Sequence, residues 1–406
     1  MHTVNPENPD SPEALTPSRN WDGLPDAPQA LELLRSMRGR APHRPWPHPS
    51  GPVVLYGAGD LGQMAMAWCR RFGVPVQGVV DAGAERWRGH PAWEGQAIWP
   101  PQDVPPEWRQ GCRLLVCIST LPHVSLEQGL LAQGWREVQP FYDFVDAAPL
   151  AQPLNNGWHA PMPQGRQAQA LEAVLTSWDD DVSRAHHLQF VAWRCLREEW
   201  QFKAAPIQPD QRYFIPEFQA CWRPGERVLD AGAHHGQVLD RWIQAHPGWL
   251  EHAWATEPDP ANFAQLTRWW HTLEPQVQSR VSLMDRVLSR RPGARRFITG
   301  QGYGSRLWPG GDHAVATGSI DELDLSPSFI KLHLEGAEWR ALQGGVQTLR
   351  RSRPMLALTV YHRRDGLCAT ANWLMQTLPD YRWMFRLHGW LGTAAVVYGV
   401  PSERVV

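Results

Sequence analysis

The stretch ERVLDAGAHHG, residues 226–236, decides the fold of this 406-residue chain. Its first half has the short apolar pattern of a buried strand, and its second half has the form D-x-G-x-x-x-G, which begins at Asp230. Gly232 and Gly236 let the backbone approach a ligand closely, and the helical pattern that follows offers its N-terminus to an anionic group. The stretch therefore predicts a strand, a ligand-binding turn and a helix.

A second acidic residue follows the next predicted strand. Residues 253–256 are β-rich and end at Glu257, which lies 21 residues beyond Gly236. A carboxylate at the tip of a second strand can accept hydrogen bonds from both hydroxyls of a ribose. Asp230 and Glu257, with the glycine turn between them, are typical of class I S-adenosylmethionine-dependent methyltransferases. The alternative is that Asp230 caps a turn and Glu257 is a solvated acid.

The rest of the C-terminal half alternates strand and helix patterns. Strand-like runs occur in FIKLHLEGAE at 329–338 and in PMLALTVYH at 354–362, and residues 381–400 have the pattern of two strands joined by a glycine-containing turn. Strands that alternate with helices imply crossover connections and a mainly parallel sheet, with a ligand crevice at the carboxyl ends of its strands. We therefore expect an α/β sheet closed by an antiparallel C-terminal hairpin.

FIKLHLEGAE resembles a strand-four signature of the FkbM methyltransferase family, commonly I-K-x-D-x-E-G-A-E. Three further pieces agree with that family in the same order: ATEPDPANFAQL at 255–266, SIDEL at 319–323 and RPMLALTVYH at 353–362. The resemblance covers about residues 206–406 and implies the class I methyltransferase fold, a mainly parallel seven-stranded sheet with an antiparallel C-terminal hairpin. It also implies methyl transfer from S-adenosylmethionine, usually to a hydroxyl oxygen. The residues that would hold this cofactor are Asp230, Gly232, Gly236 and Glu257.

One position departs from that signature, because His333 stands where the family usually has aspartate. His333 and His362 fall at the ends of the fourth and fifth predicted strands, where they face the crevice. Histidine titrates near neutral pH, so either one is a candidate to remove the proton of an acceptor hydroxyl. Packing or hydrogen bonding to the substrate is the alternative. Tyr361, Glu335 and Glu338 are candidates for substrate binding, with packing or helix capping as the alternatives.

The spacing of the histidines predicts no metal site. The adjacent pairs His186-His187 and His234-His235 place neighbouring side chains in diverging directions, whereas a metal needs ligands that converge. A cluster of His333 with nearby carboxylates has no supporting spacing in the sequence. We therefore expect an enzyme that works without a metal.

A second glycine turn lies in GPVVLYGAGDLGQMAMAWCRRFGVPVQGVVD, residues 51–81. Gly57, Gly59 and Gly62 fit G-x-G-x-x-G between a strand and a helix, and Asp81 follows the next strand, which is the context of a dinucleotide fingerprint. The region resembles the small Rossmann-like domains that precede some sugar acyltransferase and glycan-modifying domains. That resemblance implies a nucleotide-sugar ligand or a docking role, and a purely structural turn is the alternative.

The distribution of prolines, glycines and apolar patterns predicts an α/β protein with two Rossmann-like domains. The predicted segments are a proline-rich flexible arm at 1–50, a small Rossmann-like domain at 51–147, a linker at 148–166, a helical lead-in at 167–205 and a methyltransferase domain at 206–406.

Composition narrows the range of partners. The formal net charge of −2 gives no global attraction to nucleic acid or to an anionic membrane. No stretch reaches about 18 uninterrupted apolar residues, and the N-terminus lacks a signal-peptide pattern, so we predict neither a membrane span nor secretion. Six scattered cysteines without a Cys-x-x-Cys pair favour the cytoplasm. The oligomeric state has no signature in the sequence.

Together these observations predict an S-adenosylmethionine-dependent O-methyltransferase. The acceptor class we expect is a hydroxyl on a sugar, glycan or glycosylated small molecule, because the first domain resembles domains that bind nucleotide-sugars. Two alternatives remain open at this point. One is a nicotinamide-dependent oxidoreductase that uses the N-terminal domain, and the other is a non-catalytic scaffold that binds nucleotides without turnover.

Overall fold

The computed structural model describes residues 15–42, 51–147, 154–155 and 159–405. Its strands are β1 (Ser18–Trp21), β2 (Val53–Tyr56), β3 (Val76–Val80), β4 (Ile98–Trp99), β5 (Arg113–Val116), β6 (Val138–Pro140), β7 (Glu199–Phe202), β8 (Glu226–Ala231), β9 (Leu250–Thr256), β10 (Val281–Met284), β11 (Val287–Leu288), β12 (Gly293–Ile298), β13 (Arg306–Leu307), β14 (His313–Gly318), β15 (Phe329–Leu332), β16 (Met355–Thr359), β17 (Tyr381–Leu387) and β18 (Ala395–Pro401). Its helices are α1 (Ala27–Ser36), α2 (Asp60–Phe72), α3 (Pro106–Gly111), α4 (His123–Ala132), α5 (Phe141–Ala147), α6 (Gly165–Thr176), α7 (Asp181–Leu196), α8 (Pro216–Gln219), α9 (Gln237–Ala245), α10 (Pro260–His271), α11 (Pro275–Gln278), α12 (Glu338–Gln343), α13 (Val346–Ser352) and α14 (Asn372–Thr377).

The larger sheet has seven strands in the order β10-β9-β8-β15-β16-β18-β17. Its first five strands run parallel, and β18 pairs antiparallel with both β16 and β17. Numbered along the chain, this is the order 3-2-1-4-5-7-6. The structure therefore confirms the predicted mainly parallel sheet with its antiparallel C-terminal hairpin. Strand order reverses at β8, and a ligand crevice is expected outside the carboxyl ends of the strands at that point.

The central strands of this sheet are apolar along their whole length because both of their faces are covered. Leu229, Ile330 and Leu356 pack into one hydrophobic cluster, whereas their neighbours Val228, Phe329 and Met355 pack into the cluster on the opposite face. Side chains alternate between the two faces of a strand, so a strand buried on both sides has a continuous apolar run instead of an alternating one. This is why the runs in β8, β15 and β16 are recognisable in the sequence.

A second parallel sheet, called the smaller sheet below, has five strands in the order β4-β3-β2-β5-β6. The remaining strands form a four-stranded sheet, β11-β14-β12-β13, and the pair β1-β7. The smaller sheet contains the predicted β-α-β unit as β2, α2 and β3, and it adds β5 and β6 as the predicted third and fourth strands. Helices α6 and α7 occupy the predicted helical lead-in. The boundaries drawn between domains stay predictions.

Two buried contacts join the smaller sheet to α7 and β7. The guanidinium of Arg197, at the end of α7, lies 2.8 Å from the carboxylate of Asp143 in α5. The carboxylate of Glu199 in β7 accepts hydrogen bonds from the backbone N–H groups of His123 and Val124, at 2.6 and 3.2 Å. These are the first residues of α4, where the helix dipole favours a negative charge. The contacts fix the smaller sheet beside the larger one.

The prediction of a flexible arm at 1–50 is wrong for residues 15–42. Strand β1 pairs in parallel with β7, with Ser18 opposite Glu199. Helix α1 begins with a capping box at Asp26 and buries Ala30, Leu34 and Met37 in the cluster that covers one face of the larger sheet. This short helix forms because its apolar residues share one face that can be buried. The prolines do not prevent it, since a proline in the first helical turn removes no helical hydrogen bond. Residues 1–14 and 43–50 lie outside the described residues.

The predicted linker at 148–166 is described in part, since 148–153 and 156–158 lie outside the described residues and α6 already begins at Gly165. Leu154 and Asn155 are buried, so this part of the linker packs against the protein. No helix in the described part of the chain combines the length and the apolar character needed to cross a bilayer.

Truncating Leu34 tests the packing of α1. We expect Leu34→Ala to lower the free energy of unfolding by about 2–5 kcal/mol, because it opens a cavity in the core that covers the larger sheet. The exposed neighbour Glu32 provides the control, and Glu32→Ala should stay within about 0.5 kcal/mol of the parent. Denaturant unfolding measures both. Identical midpoints for the two variants would mean that the helix is not part of the core.

Candidate active site

A cavity of about 450 Å³ opens at the carboxyl ends of β8, β9 and β15. Its walls come from the larger sheet, from the smaller sheet and from the segment 287–307 that lies between β10 and β14. Helix α2 of the smaller sheet contributes Asp60, Leu61 and Met64, and the turns that follow the strands of the larger sheet contribute most of the rest. The volume lies within the range of small-molecule sites, and the position is the crevice expected from the strand order.

The turn after β8 is shaped by close contact with the turn after β15. Gly232 has φ of +79°, and a Cβ atom there would lie 1.9 Å from the carbonyl oxygen of His333. Gly236 has φ of +88°, and a Cβ atom there would lie 2.5 Å from the ring of Trp269. Both positions therefore require glycine. Gly232 lines the cavity, whereas Gly236 lies behind it at the start of α9.

Asp230 acts through a lysine. Its side chain is buried, and Oδ1 lies 2.8 Å from Nζ of Lys331 on the neighbouring strand. Lys331 also donates a hydrogen bond of 2.6 Å to the carbonyl oxygen of Gly232, and it lines the cavity. The prediction that Asp230 itself holds the methionine end is corrected in this respect, because Asp230 orients Lys331 and the lysine faces the cavity.

Glu257 lines the cavity beyond the end of β9. Its Oε2 accepts a hydrogen bond from the backbone N–H of His234 and its Oε1 accepts one from that of Asp259, both at 2.9 Å. Burial raises the pKa of Glu257 to about 7, although these two hydrogen bonds act in the opposite direction. Each carboxylate oxygen keeps a second lone pair, so Glu257 can still accept bonds from two hydroxyl groups.

His333 lines the cavity as a neutral imidazole. Its Nδ1 lies 2.9 Å from the hydroxyl of Tyr213, and its Nε2 lies 3.0 Å from Oε1 of Glu335. Burial, assisted by the nearby guanidinium of Arg212, lowers the pKa of His333 to about 3. Arg212 also donates a hydrogen bond of 2.9 Å to the hydroxyl of Tyr361, which lines the same wall.

His362 lies behind the cavity wall, with a side chain that is 1% exposed. Its Nδ1 lies 2.7 Å from Oε1 of Glu338, and its Nε2 lies 3.2 Å from Oε1 of Glu335. Burial lowers the pKa of His362, but the two carboxylates outweigh it and raise the pKa to about 9. The free chain therefore holds His362 protonated near neutral pH, and its role as a base stays a prediction.

Glu338 does not reach the cavity either. Its carboxylate accepts hydrogen bonds of 2.9 Å from the backbone N–H groups of Leu334 and Gly336 and from the hydroxyl of Thr359. Glu338 therefore shapes the turn that carries Glu335, and its predicted contact with substrate is corrected to this structural role.

Glu335 lines the cavity from a strained turn. Its φ of +48° lies in the left-handed region that few residues other than glycine adopt, and such strain is typical of functional sites. The side-chain amide of Asn155 donates to both its Oε2 and its carbonyl oxygen, at 3.0 and 2.9 Å. Burial alone would raise the pKa of Glu335, but His362 and His333 lower it below its usual value. The carboxylate is therefore ionised.

The structure thus brings most of the predicted C-terminal site residues together. Those that line the cavity are Gly232, Glu257, His333, Glu335 and Tyr361. Those that lie directly behind its wall are Asp230, Gly236, Glu338 and His362.

The predicted nucleotide turn of the smaller sheet is filled by the protein's own groups. Oδ2 of Asp81 accepts a hydrogen bond of 2.8 Å from the backbone N–H of Ala58, and the indole N–H of Trp93 donates to the carbonyl oxygen of Ala58 at 2.9 Å. A Cβ atom at Gly62 would lie 2.0 Å from the carbonyl oxygen of Gly57. A dinucleotide would need the carboxylate of Asp81 and the backbone N–H of Ala58, but these two groups are hydrogen-bonded to each other. This favours the structural alternative for Gly57, Gly59, Gly62 and Asp81.

The cavity residues that were not identified in the sequence include Arg212, Tyr213, Tyr303 and Lys331. Arg212 and Tyr213 precede β8 in an irregular segment, and Tyr303 lies between β12 and β13, where its ring stacks on His234 with centroids 4.1 Å apart. None of the three belongs to a recognisable motif. Lys331 did carry a signal, because a lysine inside an apolar strand is rarely buried unless it is paired.

Comparison with known proteins supports the fold. The chain is similar to the solved structure of methyltransferase FkbM from Methylobacillus flagellatus KT, with a TM-score of 0.56 and 18% identity over 93% of this chain and 94% of that one. At the level of the fold, this similarity confirms the resemblance read from the sequence, and it spans both sheets.

Two other solved methyltransferases are more distant. Precorrin-6y C5,15-methyltransferase from Geobacter metallireducens GS-15 is 14% identical over 45% of this chain and 83% of that one. The SAH-bound methyltransferase PaMTH1 from Podospora anserina is 10% identical over 60% and 89%. Both have a TM-score of 0.28, which is too low to define a shared fold. No protein-family model and no curated protein matches the sequence.

A matched pair of glycines tests the structural role of the N-terminal turn. We expect Gly62→Ala to lower the free energy of unfolding by about 1–3 kcal/mol, because its Cβ atom would collide with the backbone. Gly59→Ala should be tolerated, since a Cβ atom there meets nothing within 4 Å. Thermal unfolding of both variants makes the comparison, and equal melting temperatures would contradict the packing described for this turn.

Proposed function

We propose that this chain is an S-adenosylmethionine-dependent methyltransferase that methylates a hydroxyl oxygen of a sugar, a glycan or a glycosylated small molecule. The observation that carries the proposal is that Glu257 and the Gly232 turn meet in one cavity at the switch point of a 3-2-1-4-5-7-6 sheet. A carboxylate beyond the second strand suits a ribose, and a glycine turn lets the backbone approach the cofactor closely.

The residues around the cavity fit this cofactor. Glu257 has lone pairs available for the ribose hydroxyls, and the ammonium of Lys331, held by Asp230, suits the carboxylate of the methionine end. The N-terminus of α9 adds a partial positive charge on the same side. S-adenosylmethionine, when bound, supplies the methyl group.

We assign the acceptor side to the wall formed by His333, Glu335, Tyr361 and Arg212. Methyl transfer is an in-line displacement, in which positioning of the acceptor supplies much of the rate. His333 and Glu335 share a hydrogen bond at this wall, so this pair is the candidate to orient the acceptor hydroxyl and to receive its proton. The concentration of polar groups at the wall supports a hydroxyl-rich acceptor, which is why we favour a carbohydrate.

Removing the carboxylate of Glu257 tests the cofactor site. We expect Glu257→Ala to weaken binding of S-adenosylmethionine by about 1–3 kcal/mol, or roughly 5- to 150-fold, because two hydroxyl hydrogen bonds to a charged acceptor are lost. Calorimetry at pH 8, above the raised pKa of Glu257, measures the affinity.

The exposed carboxylate of Glu251, at the other end of β9, provides the control, and Glu251→Ala should bind like the parent. Unchanged affinity of Glu257→Ala would contradict the ribose assignment. Absence of binding to the parent chain would contradict the proposed function itself and would favour the scaffold alternative.

Removing the imidazole of His333 tests the acceptor side. We expect His333→Ala to reduce turnover at least about tenfold while the affinity for S-adenosylmethionine changes by less than about threefold, because the group faces the acceptor. Release of S-adenosylhomocysteine with a panel of glycosides measures turnover, and calorimetry measures affinity. Parent-like turnover would mean that His333 only packs against Tyr213.

A further inference from the structure

Three side chains behind and along the acceptor wall converge on one point. Nε2 of His333 and Nε2 of His362 lie 3.0 and 3.2 Å from the same oxygen, Oε1 of Glu335. The candidate ligand atoms of these residues all lie within 4.8 Å of one another. We call this set the His-Glu-His cluster.

The spacing within the cluster is that of ligands around a cation. Imidazole nitrogens and carboxylate oxygens bind first-row divalent cations at about 2.0–2.2 Å, which puts neighbouring ligand atoms about 2.8–3.6 Å apart in octahedral or tetrahedral geometry. The two distances to Glu335 fall in that interval. The third separation, between the two imidazoles, is at most 4.8 Å.

Both imidazoles are also held from behind in the way that metal-binding histidines are held. The nitrogen of His362 that points away from the cluster lies 2.7 Å from the carboxylate of Glu338, and the corresponding nitrogen of His333 lies 2.9 Å from the hydroxyl of Tyr213. A ligating histidine usually gives its second ring nitrogen to a carboxylate or another acceptor, which fixes its tautomer and orientation.

The nitrogen of His362 that faces the cluster supplies an independent observation. The side chain is 1% exposed, and the contact of Nε2 with Oε1 of Glu335, at 3.2 Å, falls short of a well-aligned hydrogen bond. Buried polar atoms of a folded protein almost always have a partner. A buried nitrogen that faces two other ligand atoms and makes only a poorly aligned contact can offer its lone pair to a bound ion once its proton is displaced.

The surroundings leave room for a cation with open coordination positions. His333 and Glu335 line the cavity, so an ion bound by them would face it. Nη2 of Arg212 lies 3.3 and 3.4 Å from the two nitrogens of His333. Because the lone pairs of those nitrogens diverge, the guanidinium is in line with neither and does not occupy the ligand direction. The carboxylates of Glu335 and Glu338 balance the charge of an ion beside Arg212.

We propose that His333, Glu335 and His362 form a site for a first-row divalent cation whose open positions face the cavity and bind an oxygen of the acceptor. Two imidazoles and one carboxylate favour Mn²⁺, Fe²⁺, Co²⁺ or Zn²⁺ over Mg²⁺ or Ca²⁺. Binding of the ion would displace the proton that the cluster otherwise holds.

The part played in the reaction rests on the proposed function, whereas the site itself does not. A cation that binds the acceptor hydroxyl lowers its pKa, so that a weak base suffices to remove the proton. His333 gives its lone pair to the ion and is then no longer the base, so the second carboxylate oxygen of Glu335 is the group left to receive the proton.

Cobalt titration of the chelator-treated full-length chain tests the site, with Co²⁺ read by its visible absorption and Mn²⁺ by electron paramagnetic resonance. We expect one equivalent of Co²⁺ to bind and Mn²⁺ to compete for the same site. Glu335→Gln and His362→Gln should each weaken Co²⁺ binding at least about tenfold, and Glu338→Gln, which removes only the group behind His362, should weaken it about 10- to 100-fold. His271→Gln removes an exposed histidine on α10 and should bind like the parent.

Several outcomes overturn the proposal. One is that the parent chain has no single saturable site for Co²⁺. Another is that the affinity for Co²⁺ is the same in the parent, Glu335→Gln and His362→Gln. If the buried variants melt at lower temperature than the parent, His333→Ala, at the cavity surface, makes the same comparison. S-adenosylmethionine is titrated into the same samples, so binding of the cofactor without binding of cobalt would remove the metal site and leave the proposed function in place.

Discussion

A buried ion pair between Lys331 and Asp230 holds the two central strands of the larger sheet together where the cavity opens. Both side chains are almost inaccessible to solvent, and the lysine also binds the carbonyl oxygen of Gly232. Removing either partner of such a pair leaves an uncompensated charge in the interior, which typically costs about 3–5 kcal/mol. The contact links the glycine turn after β8 to β15, the strand that leads directly to His333 and Glu335.

The sequence predicted the structure best where one strand or turn has a recognisable pattern within its own residues. The apolar runs of β8, β15 and β16 and the acid after β9 were all identifiable, because strands buried on both faces and short motifs are local properties. It was least informative where a contact joins distant segments. Arg212 and Tyr213 reach His333 across about 120 positions from an irregular segment without a pattern. The prediction also failed at α1, although its pattern is local. The many prolines around this helix led to the prediction of a flexible arm, and its short apolar face was given too little weight.

The His-Glu-His cluster shows the same limit in another form. His333 and Glu335 follow one strand and His362 follows the next, so the distance between them depends on strand pairing and on the positive φ of Glu335. Motif spacing along the chain describes ligands on one helix or one loop. It contains no information on two loops that meet only because β15 and β16 are neighbours.

The pairing of β1 with β7 also determines the order in which the molecule can be completed during synthesis. Ser18 leaves the ribosome 181 residues before its partner Glu199, and the whole smaller sheet is made in between. The smaller sheet is therefore an insertion within the larger unit, and its own strands are close enough in sequence to form first. Contacts of such long sequence separation form slowly, because a long loop must close before they contribute. Until then the nascent chain carries the apolar face of α1 uncovered.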